Sequence, residues 1–318
     1  MIAALFPGQG AQKVGMAQDF YDHSPAAKTV LDQAEAVLPG LLEVMWQGPE
    51  ETLTLTTNQQ PALLAASAAA LVAYQEAGGP AFTAAAGHSL GEFSAYYSSG
   101  ALPLDAALKL VRARASHMQH AVPAGTGTMA AILKLDAAQV TEVCENTLGI
   151  VEVANYNSPQ QTVISGEVAA VEAASASLKH AGGRVVPLPV SAPFHCSLMA
   201  PAASAFQEDL AAVSWEGLTY PIVSNVDAKA ITTSNASVDL LTKQVTQSVY
   251  WTASIETLVD MGVKVFLEFG SGTVLTNLVK RIVPKNSGIT AFAIHTMTSL
   301  DSALRQLEHL SIPAEVKL

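Results

Sequence analysis

The residues Gly87 to Gly91 (GHSLG) have the G-x-S-x-G spacing of a nucleophile elbow. They follow a small apolar run, Ala81 to Ala86, and precede a stretch of helical character, Leu90 to Ser99. Between a strand and a helix, the flanking glycines allow a sharp turn that lifts the serine hydroxyl into a cleft. The backbone N–H groups that follow can then stabilise an oxyanion. The sequence therefore predicts Ser89 as a nucleophile, and an ordinary tight turn is the alternative.

A serine nucleophile needs a base that accepts its proton, and His195 is the preferred candidate among the eight histidines. It lies in the segment Ser191 to Ser197, directly after a predicted strand, where catalytic residues of α/β proteins collect. His88 adjoins Ser89, but the side chains of neighbours on a tight turn point apart. A structural histidine at position 195 is the alternative. Cys196 is interpreted as a small packed residue rather than a thiol nucleophile.

Two further parts of such a site stay open. An α/β-hydrolase order needs an acidic residue between serine and histidine, yet no carboxylate between Ser89 and His195 lies in a convincing strand-end turn. A backbone or amide carbonyl is then the predicted partner of the histidine. The segment Phe6 to Gln12 follows a first strand, and it either offers a backbone N–H to an oxyanion or is a simple tight turn.

A single arginine lies on the apolar arc of a helix predicted over Pro103 to Ala121. Because Arg114 is the one charged member of this arc, its side chain should point into the protein. A buried arginine needs a partner. Either it forms a structural ion pair or snorkels, or its planar fork grips the carboxylate of a substrate. The arc comprises Leu104, Ala107, Leu108, Leu110, Val111, Arg114, Ala115, Met118 and Ala121.

Composition and charge limit the class of protein. Of 318 residues, half are hydrophobic and 14% are charged, which predicts a large buried core rather than disorder. A formal net charge of −11 without a long basic run argues against nucleic acid as a partner. Two isolated cysteines, Cys144 and Cys196, give neither a disulfide framework nor a zinc motif, and no metal or cofactor is expected.

The apolar stretches indicate buried elements rather than targeting or membrane segments. Met1 to Phe6 lacks the charged region and cleavage site of a signal peptide, and it is predicted as a buried first strand. Pro61 to Tyr74 is too short to span a bilayer, and it predicts a central buried helix beginning at Pro61. We therefore expect a cytoplasmic protein with no membrane partner. A monomer is expected as well.

Strands and helices alternate along the chain, which predicts an α/β fold with a mostly parallel sheet covered by helices. One region departs from this alternation and follows the order β-α-β-β-α-β, a ferredoxin-like arrangement. We therefore predict a small subdomain at residues 125–190, inserted into a larger body of residues 1–124 and 191–318. Its predicted strands are 128–135, 151–156, 161–165 and 184–190, and its predicted helices are 137–147 and 168–180.

Together these motifs resemble the malonyl-CoA:acyl carrier protein transacylases of fatty acid synthesis and the related acyltransferases of polyketide synthases. The resemblance covers nearly the whole chain, with many motifs in the same order. It implies an α/β-hydrolase-like body with a ferredoxin-like insertion. The motifs are 6–10 (FPGQG), 59–62 (QQPA), 87–92 (GHSLGE), 122–127 (VPAGTG), 155–159 (NYNSP), 193–196 (PFHC), 224–226 (SNV) and 280–282 (KRI).

The resemblance also implies an activity, acyl-carrier-protein S-malonyltransferase, that proceeds through a malonyl-serine intermediate. In that family a serine is acylated, a histidine is its base, and an arginine holds the free malonyl carboxylate. Two backbone N–H groups form the oxyanion hole, and a main-chain carbonyl orients the histidine. The matching positions here are Ser89, His195, Arg114, the amides of Gln9 and Leu90, and the carbonyl of Gln244.

Two more residues are predicted to bind substrate. Met118 lies on the same helix arc as Arg114. Phe194 resembles the bulky residue of malonyl-selective members, where it would crowd an α-methyl substituent, and core packing is its alternative role.

The implied partners are malonyl-CoA and acyl carrier protein. Because carrier proteins are acidic, we predict a local basic patch at Lys280, Arg281 and Lys285 with Arg184, the alternative being a solvated charged surface. Three other functions remain open: a polyketide synthase acyltransferase acting in trans, a serine hydrolase such as a thioesterase, and a non-catalytic docking module.

Overall fold

The computed structural model describes residues 1–190 and 192–310. Ser191, where the larger body is predicted to resume, and residues 311–318 at its predicted end lie outside the described residues. The strands are β1 (Ile2–Phe6), β2 (Ala84–Gly87), β3 (Gly127–Leu133), β4 (Val151–Ser158), β5 (Gln161–Glu167), β6 (Arg184–Pro187), β7 (Ile222–Val223), β8 (Ala230–Ile231), β9 (Val265–Phe269) and β10 (Thr290–Ile294). The α-helices are α1 (Gln18–His23), α2 (Pro25–Val37), α3 (Leu41–Gln47), α4 (Glu50–Thr54), α5 (Thr56–Glu76), α6 (Gly91–Ser98), α7 (Leu104–His120), α8 (Ala137–Glu145), α9 (Val168–His180), α10 (Ala200–Ala211), α11 (Ser237–Thr246), α12 (Trp251–Asp260), α13 (Val274–Ile282) and α14 (Met297–His309).

The larger sheet, sheet A, has six strands in the order β10-β9-β1-β2-β7-β8. Its neighbouring strands pair in parallel except for β7 with β8. The central strands β1 and β2 are short apolar runs that are buried at every position, as expected for parallel strands with helices on both faces. The predicted α/β class with a mostly parallel sheet is confirmed.

Sheet B has the strand order β4-β5-β3-β6, and its three pairs are antiparallel. Its elements follow the predicted order β3-α8-β4-β5-α9-β6 along the chain. Helices α8 and α9 cover one face, where Ile132, Val140 and Ile164 belong to a separate apolar cluster. On the other face, Met129 and Ala131 belong to the main core. Alternate side chains of β3 therefore point toward the larger body.

Helix α5 begins at Thr56, so the predicted start at Pro61 is wrong. Pro61 lies in the second turn, where it has no N–H to donate to the carbonyl of Thr57 four residues earlier. The Arg112 guanidinium takes that place, since its Nη1 donates to Thr57 O at 2.8 Å. The helix is buried around nearly its whole circumference, and the added turn carries Gln60 into the interior.

Helix α7 buries the predicted arc from Leu104 to Met118, including Arg114, while Ala121 at its end is half-buried. Arg112 lies on the exposed side of the same helix. Among the helices of the described part, none combines the length and the hydropathy needed to cross a bilayer.

Candidate active site

The loops that follow β1 and β2 lie side by side at one edge of sheet A. The two strands are parallel, Phe6 pairs with Gly87, and the N–H of His88 donates to Phe6 O at 2.9 Å. The carboxyl ends of parallel strands are where open α/β sheets bind ligands. The glycine-rich turn that follows β1 therefore lies next to the predicted nucleophile elbow.

The two elbow glycines are required by close backbone approaches. A Cβ at Gly87 would lie 1.8 Å from Gly91 O, and a Cβ at Gly91 would lie 2.0 Å from Phe6 O. Ser89 itself has a φ of 52°, a left-handed conformation that is costly for a residue with a Cβ. The turn is therefore held in its strained shape by tight packing between β1, β2 and α6.

Asn225, which follows β7, holds the elbow from the other side. Its Oδ1 accepts from the N–H of Ser89 at 2.7 Å, and its Nδ2 donates to Gly87 O at 2.7 Å. The side chain thus satisfies both backbone groups next to the strained serine, as an adjacent strand would. Asn225 belongs to the sequence motif 224–226, whose spacing alone does not indicate this role.

The side chains of Ser89 and His195 meet although they are 106 residues apart in the chain. The distance from Ser89 Oγ to His195 Nε2 is 2.8 Å, and the distance from His195 Nδ1 to the main-chain oxygen of Gln244 is also 2.8 Å. A carbonyl oxygen can only accept, so Nδ1 carries the proton and Nε2 is free to accept one from the hydroxyl. The structure thus has a carbonyl where a triad would have a carboxylate.

The protonation state of His195 suits a base. The side chain is buried, and this burial, together with the positive charge of Arg114, lowers the pKa of His195 to about 3. The imidazole is therefore neutral at physiological pH. It can accept the serine proton without first losing one of its own.

Arg114 is fully buried, and its guanidinium reaches the same serine. Nη2 donates to Ser89 Oγ at 3.0 Å and to Gln244 Oε1 at 2.9 Å, and Nη1 donates to Gln60 Oε1 at 3.0 Å. Within residues 1–190 and 192–310 the guanidinium has no ion pair with a carboxylate. Burial lowers the pKa of Arg114 to about 10, so the group is still a cation at neutral pH. A buried cation whose partners are neutral is suited to receive an anionic ligand.

Two backbone N–H groups beside the serine are available as donors. Neither the amide of Gln9 nor that of Leu90 donates to another group in the described part of the chain. The loop of Gln9 approaches the elbow closely, because a Cβ on Gly8 would lie 2.5 Å from His88 O. The side chain of Gln9 is also tied to α5, since its Nε2 donates to Gln59 Oε1 at 2.6 Å. The predicted oxyanion donors thus lie on two adjoining, well-anchored loops.

Ser89 and His195 open into a cavity of about 640 Å³. The apolar part of its lining comes from Met129 of β3, from the segment after β6 and from Phe194, while residues of α4 and the start of α5 line another side. A cavity of this size admits a small-molecule ligand and gives it a path to the hydroxyl. The described lining residues are Gln9, Gly10, Gln12, Glu50, Glu51, Thr54, Leu55, Thr56, Gln59, His88, Ser89, Met129, Asn155, Leu188, Pro189, Val190, Phe194 and His195.

The two predicted substrate-binding apolar residues are placed differently. Phe194 lines the cavity beside His195 and is 4% exposed. Met118 is buried in the core one turn beyond Arg114, and it is not among the described residues that line the cavity. A contact between substrate and Met118 therefore stays a prediction.

The two rival residues beside Ser89 and His195 have other partners. The His88 ring points away from the hydroxyl, with its Nε2 2.7 Å from Asn157 Oδ1. The Cys196 thiol is buried and donates to Pro193 O at 3.1 Å. Burial raises the pKa of Cys196 to about 11, so the thiol is protonated and packed, as expected from the sequence.

Of the four residues predicted to form a basic patch, Arg184 begins β6 at an edge of sheet B and Arg281 lies near the end of α13. Lys280, Arg281, Lys285 and Arg184 are all exposed. Arg281 Nη1 donates to Gln161 Oε1 at 2.9 Å, which ties the end of α13 to β5.

Comparisons with known proteins agree on one family. Residues 4–306 match the acyl transferase domain family. The malonyl CoA-acyl carrier protein transacylase of Escherichia coli K12 is 44% identical over 306 residues, which cover 95% of this chain and 98% of that protein.

Two solved structures have the same fold. The crystal structure of the malonyl CoA-acyl carrier protein transacylase of Clostridium perfringens superimposes with a TM-score of 0.93 at 39% identity, over 99% of both chains. A malonyl-transacylase solved in complex with its type II polyketide acyl carrier protein superimposes with a TM-score of 0.92 at 41% identity. That match covers 96% of this chain and 99% of the other.

Proposed function

The chain belongs to the acyl transferase domain family, and we propose that it moves a malonyl group from coenzyme A to the phosphopantetheine thiol of acyl carrier protein. One observation supports this most directly. The Ser89 hydroxyl lies 2.8 Å from a neutral histidine nitrogen and 3.0 Å from a buried guanidinium that has no carboxylate partner in the described residues. A nucleophile with a base is common to many hydrolases, whereas the adjacent buried cation selects an acyl group that ends in an anion.

In the first half-reaction His195 Nε2 accepts the proton of Ser89 Oγ, and the oxygen forms a bond to the thioester carbon. The negative charge that develops on the carbonyl oxygen is stabilised by the amides of Gln9 and Leu90. Each such donor is worth on the order of 3 kcal/mol in the barrier. Collapse of this intermediate breaks the carbon–sulfur bond. His195 then returns its proton to the departing coenzyme A thiolate, leaving malonyl-Ser89.

The second half-reaction runs the same steps in reverse with a different thiol. His195 accepts the proton of the pantetheine thiol, whose sulfur attacks the serine ester. The carbon–oxygen bond breaks, and the proton passes back to Ser89. This double displacement is ping-pong covalent catalysis, and it needs no group besides those of the chain and its two substrates.

Arg114 would hold the malonyl carboxylate during both half-reactions. Its fork matches a carboxylate geometrically, and it lies beside the nucleophile. Phe194 would limit the space next to the acyl group, so that an α-methyl substituent is crowded. These two roles make the enzyme selective for an unbranched diacid.

We infer that an acidic carrier protein docks at Arg184 and Arg281, on the face of sheet B that also bears the cavity residue Met129. Gln161 and Arg184 both pair with Leu133, so they share its face of sheet B. Met129 lies on that face four residues earlier along β3, about 13 Å away at 3.3 Å per residue. Charge reversal at Arg184 or Arg281 should raise the KM for carrier protein, more so at low salt.

The acyl transferase family is also the basis for our inferences about the type of fold, the cellular location and the oligomeric state. We infer an α/β-hydrolase-like body with a ferredoxin-like insertion, since the strand order of sheet B fits that arrangement. A cytoplasmic location and a monomeric state are part of the proposal, and sedimentation of the purified protein tests the second.

Transfer of label from malonyl-CoA to purified acyl carrier protein tests the function. The expected result is a labelled carrier protein, with much less transfer from acetyl-CoA and methylmalonyl-CoA, and none with the Ser89→Ala variant. Release of free malonate in place of transfer would instead indicate a thioesterase. Carrier-protein binding without any turnover would indicate a docking module.

A further inference from the structure

A carboxylate is buried directly behind the reacting groups. Glu92 lies in the first turn of α6, three residues after the nucleophile, and is 1% exposed. Its Oε2 accepts from Gln244 Nε2 at 2.6 Å and from the N–H of Asn225 at 3.3 Å. Its Oε1 has no hydrogen-bond partner in the described part of the chain. The proposed mechanism does not use this side chain. Burial of a carboxylate costs free energy, which a structural or functional role must offset.

The side-chain amide of Gln244 connects this carboxylate to Arg114. Its Nε2 donates to Glu92 and to Ser89 O, the second at 3.0 Å, and its Oε1 accepts from Arg114 Nη2 at 2.9 Å. An ionised carboxylate can only accept, so it fixes the amide with its nitrogen toward Glu92. The carbonyl oxygen must then face the guanidinium. The opposite orientation would set the amide NH₂ against the donors of Arg114.

We propose that Glu92 is a positioning residue for malonyl transfer: through the amide of Gln244, it holds the Arg114 guanidinium against the Ser89 hydroxyl. The inference rests on the proposed function, because it assigns a role in the binding of the diacid. Glu92 is not among the described residues that line the cavity, and its connection to the guanidinium runs through the side-chain amide of Gln244.

The electrostatic surroundings make this arrangement sensitive to pH. Burial raises the pKa of Glu92 to about 7, while the hydrogen bonds from Gln244 and Asn225 and the charge of Arg114 oppose that rise. The other titratable groups that face it are Asp227 after β7 and Tyr96 on its own helix. Above its pKa Glu92 is a pure acceptor that orients the amide. Below it the carboxyl is neutral and accepts more weakly, so the hydrogen bond from Gln244 Nε2 loosens and the amide is held only by Ser89 O and Arg114.

The test compares Glu92→Gln with a matched substitution elsewhere. Glu268→Gln also replaces a buried carboxylate, 1% exposed, but that one accepts from the backbone N–H groups of Leu275 and Thr276 at the start of α13. The measurement is the ratio of kcat/KM for malonyl-CoA to kcat/KM for acetyl-CoA, as a function of pH. Acetyl transfer reports on Ser89 and His195 and does not use the carboxylate grip.

The expected result is a fall in the malonyl-to-acetyl ratio of about 10- to 100-fold for Glu92→Gln, since a misplacement of about 1 Å in a positioning group costs up to about 10²-fold. Glu268→Gln should keep the wild-type ratio even if it melts earlier. In the wild type the ratio should decline as the pH falls through about 7, and in Glu92→Gln it should be flat.

Glu92→Asp is the alternative test variant if Glu92→Gln does not fold. It keeps the charge but withdraws the carboxylate by about 1.5 Å, one carbon–carbon bond, so the contact with Gln244 is lost and the ratio should again fall. An unchanged ratio in whichever variant folds, or equal losses for malonyl and acetyl transfer, would overturn the proposal. A wild-type enzyme that transfers no malonyl group at all would refute the proposed function instead.

Discussion

Replacement of Arg114 by alanine should remove the preference for malonyl over acetyl groups. Acetyl transfer by Ser89 and His195 should persist to a large extent. The guanidinium touches the nucleophile, and its other partners are the neutral amide oxygens of Gln60 and Gln244. Malonyl and acetyl groups differ at this site in the carboxylate that the fork would bind. The variant therefore separates recognition of the acid from attack by the serine.

The magnitude follows from the number of hydrogen bonds that a carboxylate gains. A hydrogen bond to a charged group contributes about 1.5–3 kcal/mol, so a two-pronged grip contributes about 3–6 kcal/mol. At about 1.4 kcal/mol per factor of ten, the ratio of malonyl to acetyl kcat/KM should fall about 10²- to 10⁴-fold. The contact of Nη2 with Ser89 Oγ is lost for both substrates, so it cancels in this ratio.

The assay measures both substrates at saturating carrier protein, after thermal melts establish that the variant is folded. A truncated buried arginine leaves Gln60 and Gln244 without a donor, so a lower melting temperature is expected. Arg114→Lys is the companion variant, because a single ammonium keeps the charge but cannot form a fork. Its ratio should lie between those of wild type and Arg114→Ala. Equal losses of malonyl and acetyl transfer in folded Arg114→Ala would refute the assignment of the carboxylate grip.

Three other predictions concern the elbow and the base. Gly91→Ala should lower the free energy of unfolding by about 3 kcal/mol or more, because its Cβ would lie 2.0 Å from Phe6 O. Urea unfolding measures this loss, and Gly217→Ala is the control because a Cβ there meets nothing within 4 Å. Asn225→Ala leaves the N–H of Ser89 unpaired, at a cost of about 1–3 kcal/mol, and should lower malonyl and acetyl transfer by the same factor; a selective loss of one substrate contradicts this. Because the pKa of His195 is lowered to about 3 from the ordinary 6.5, kcat/KM for acetyl-CoA should stay level as the pH falls through 6.5; an acid limb at 6.5 contradicts a buried neutral base.

The parts of the site that depend on local sequence could be predicted. The elbow is a short motif between a strand and a helix, and the burial of Arg114 follows from the periodicity of one helix. The parallel sheet follows from alternating elements. For the elbow and for Arg114 the signal lies within about twenty residues, a range over which helix and strand periods can be read from sequence. For the sheet it lies in the repeated order of strands and helices along the chain.

The contacts between distant segments could not be predicted in the same way. Asn225 and Ser89 are 136 residues apart, and no period or spacing connects them. The role of the Gln244 amide and of Glu92 likewise depends on which side chains the fold brings together. Pro61 shows the converse, because the preference of proline for the first helical turn was overridden by a distant arginine that replaces its missing hydrogen bond.

Mass analysis of peptides from the enzyme, quenched after incubation with malonyl-CoA and no acceptor, shows whether Ser89 becomes acylated. If Ser89 is the nucleophile, the peptide that contains it carries a base-labile malonyl ester, absent from the Ser89→Ala variant and from an acid-unfolded sample. A malonyl group found on another residue, or rapid turnover with no modified serine at any time point, would contradict this role of Ser89.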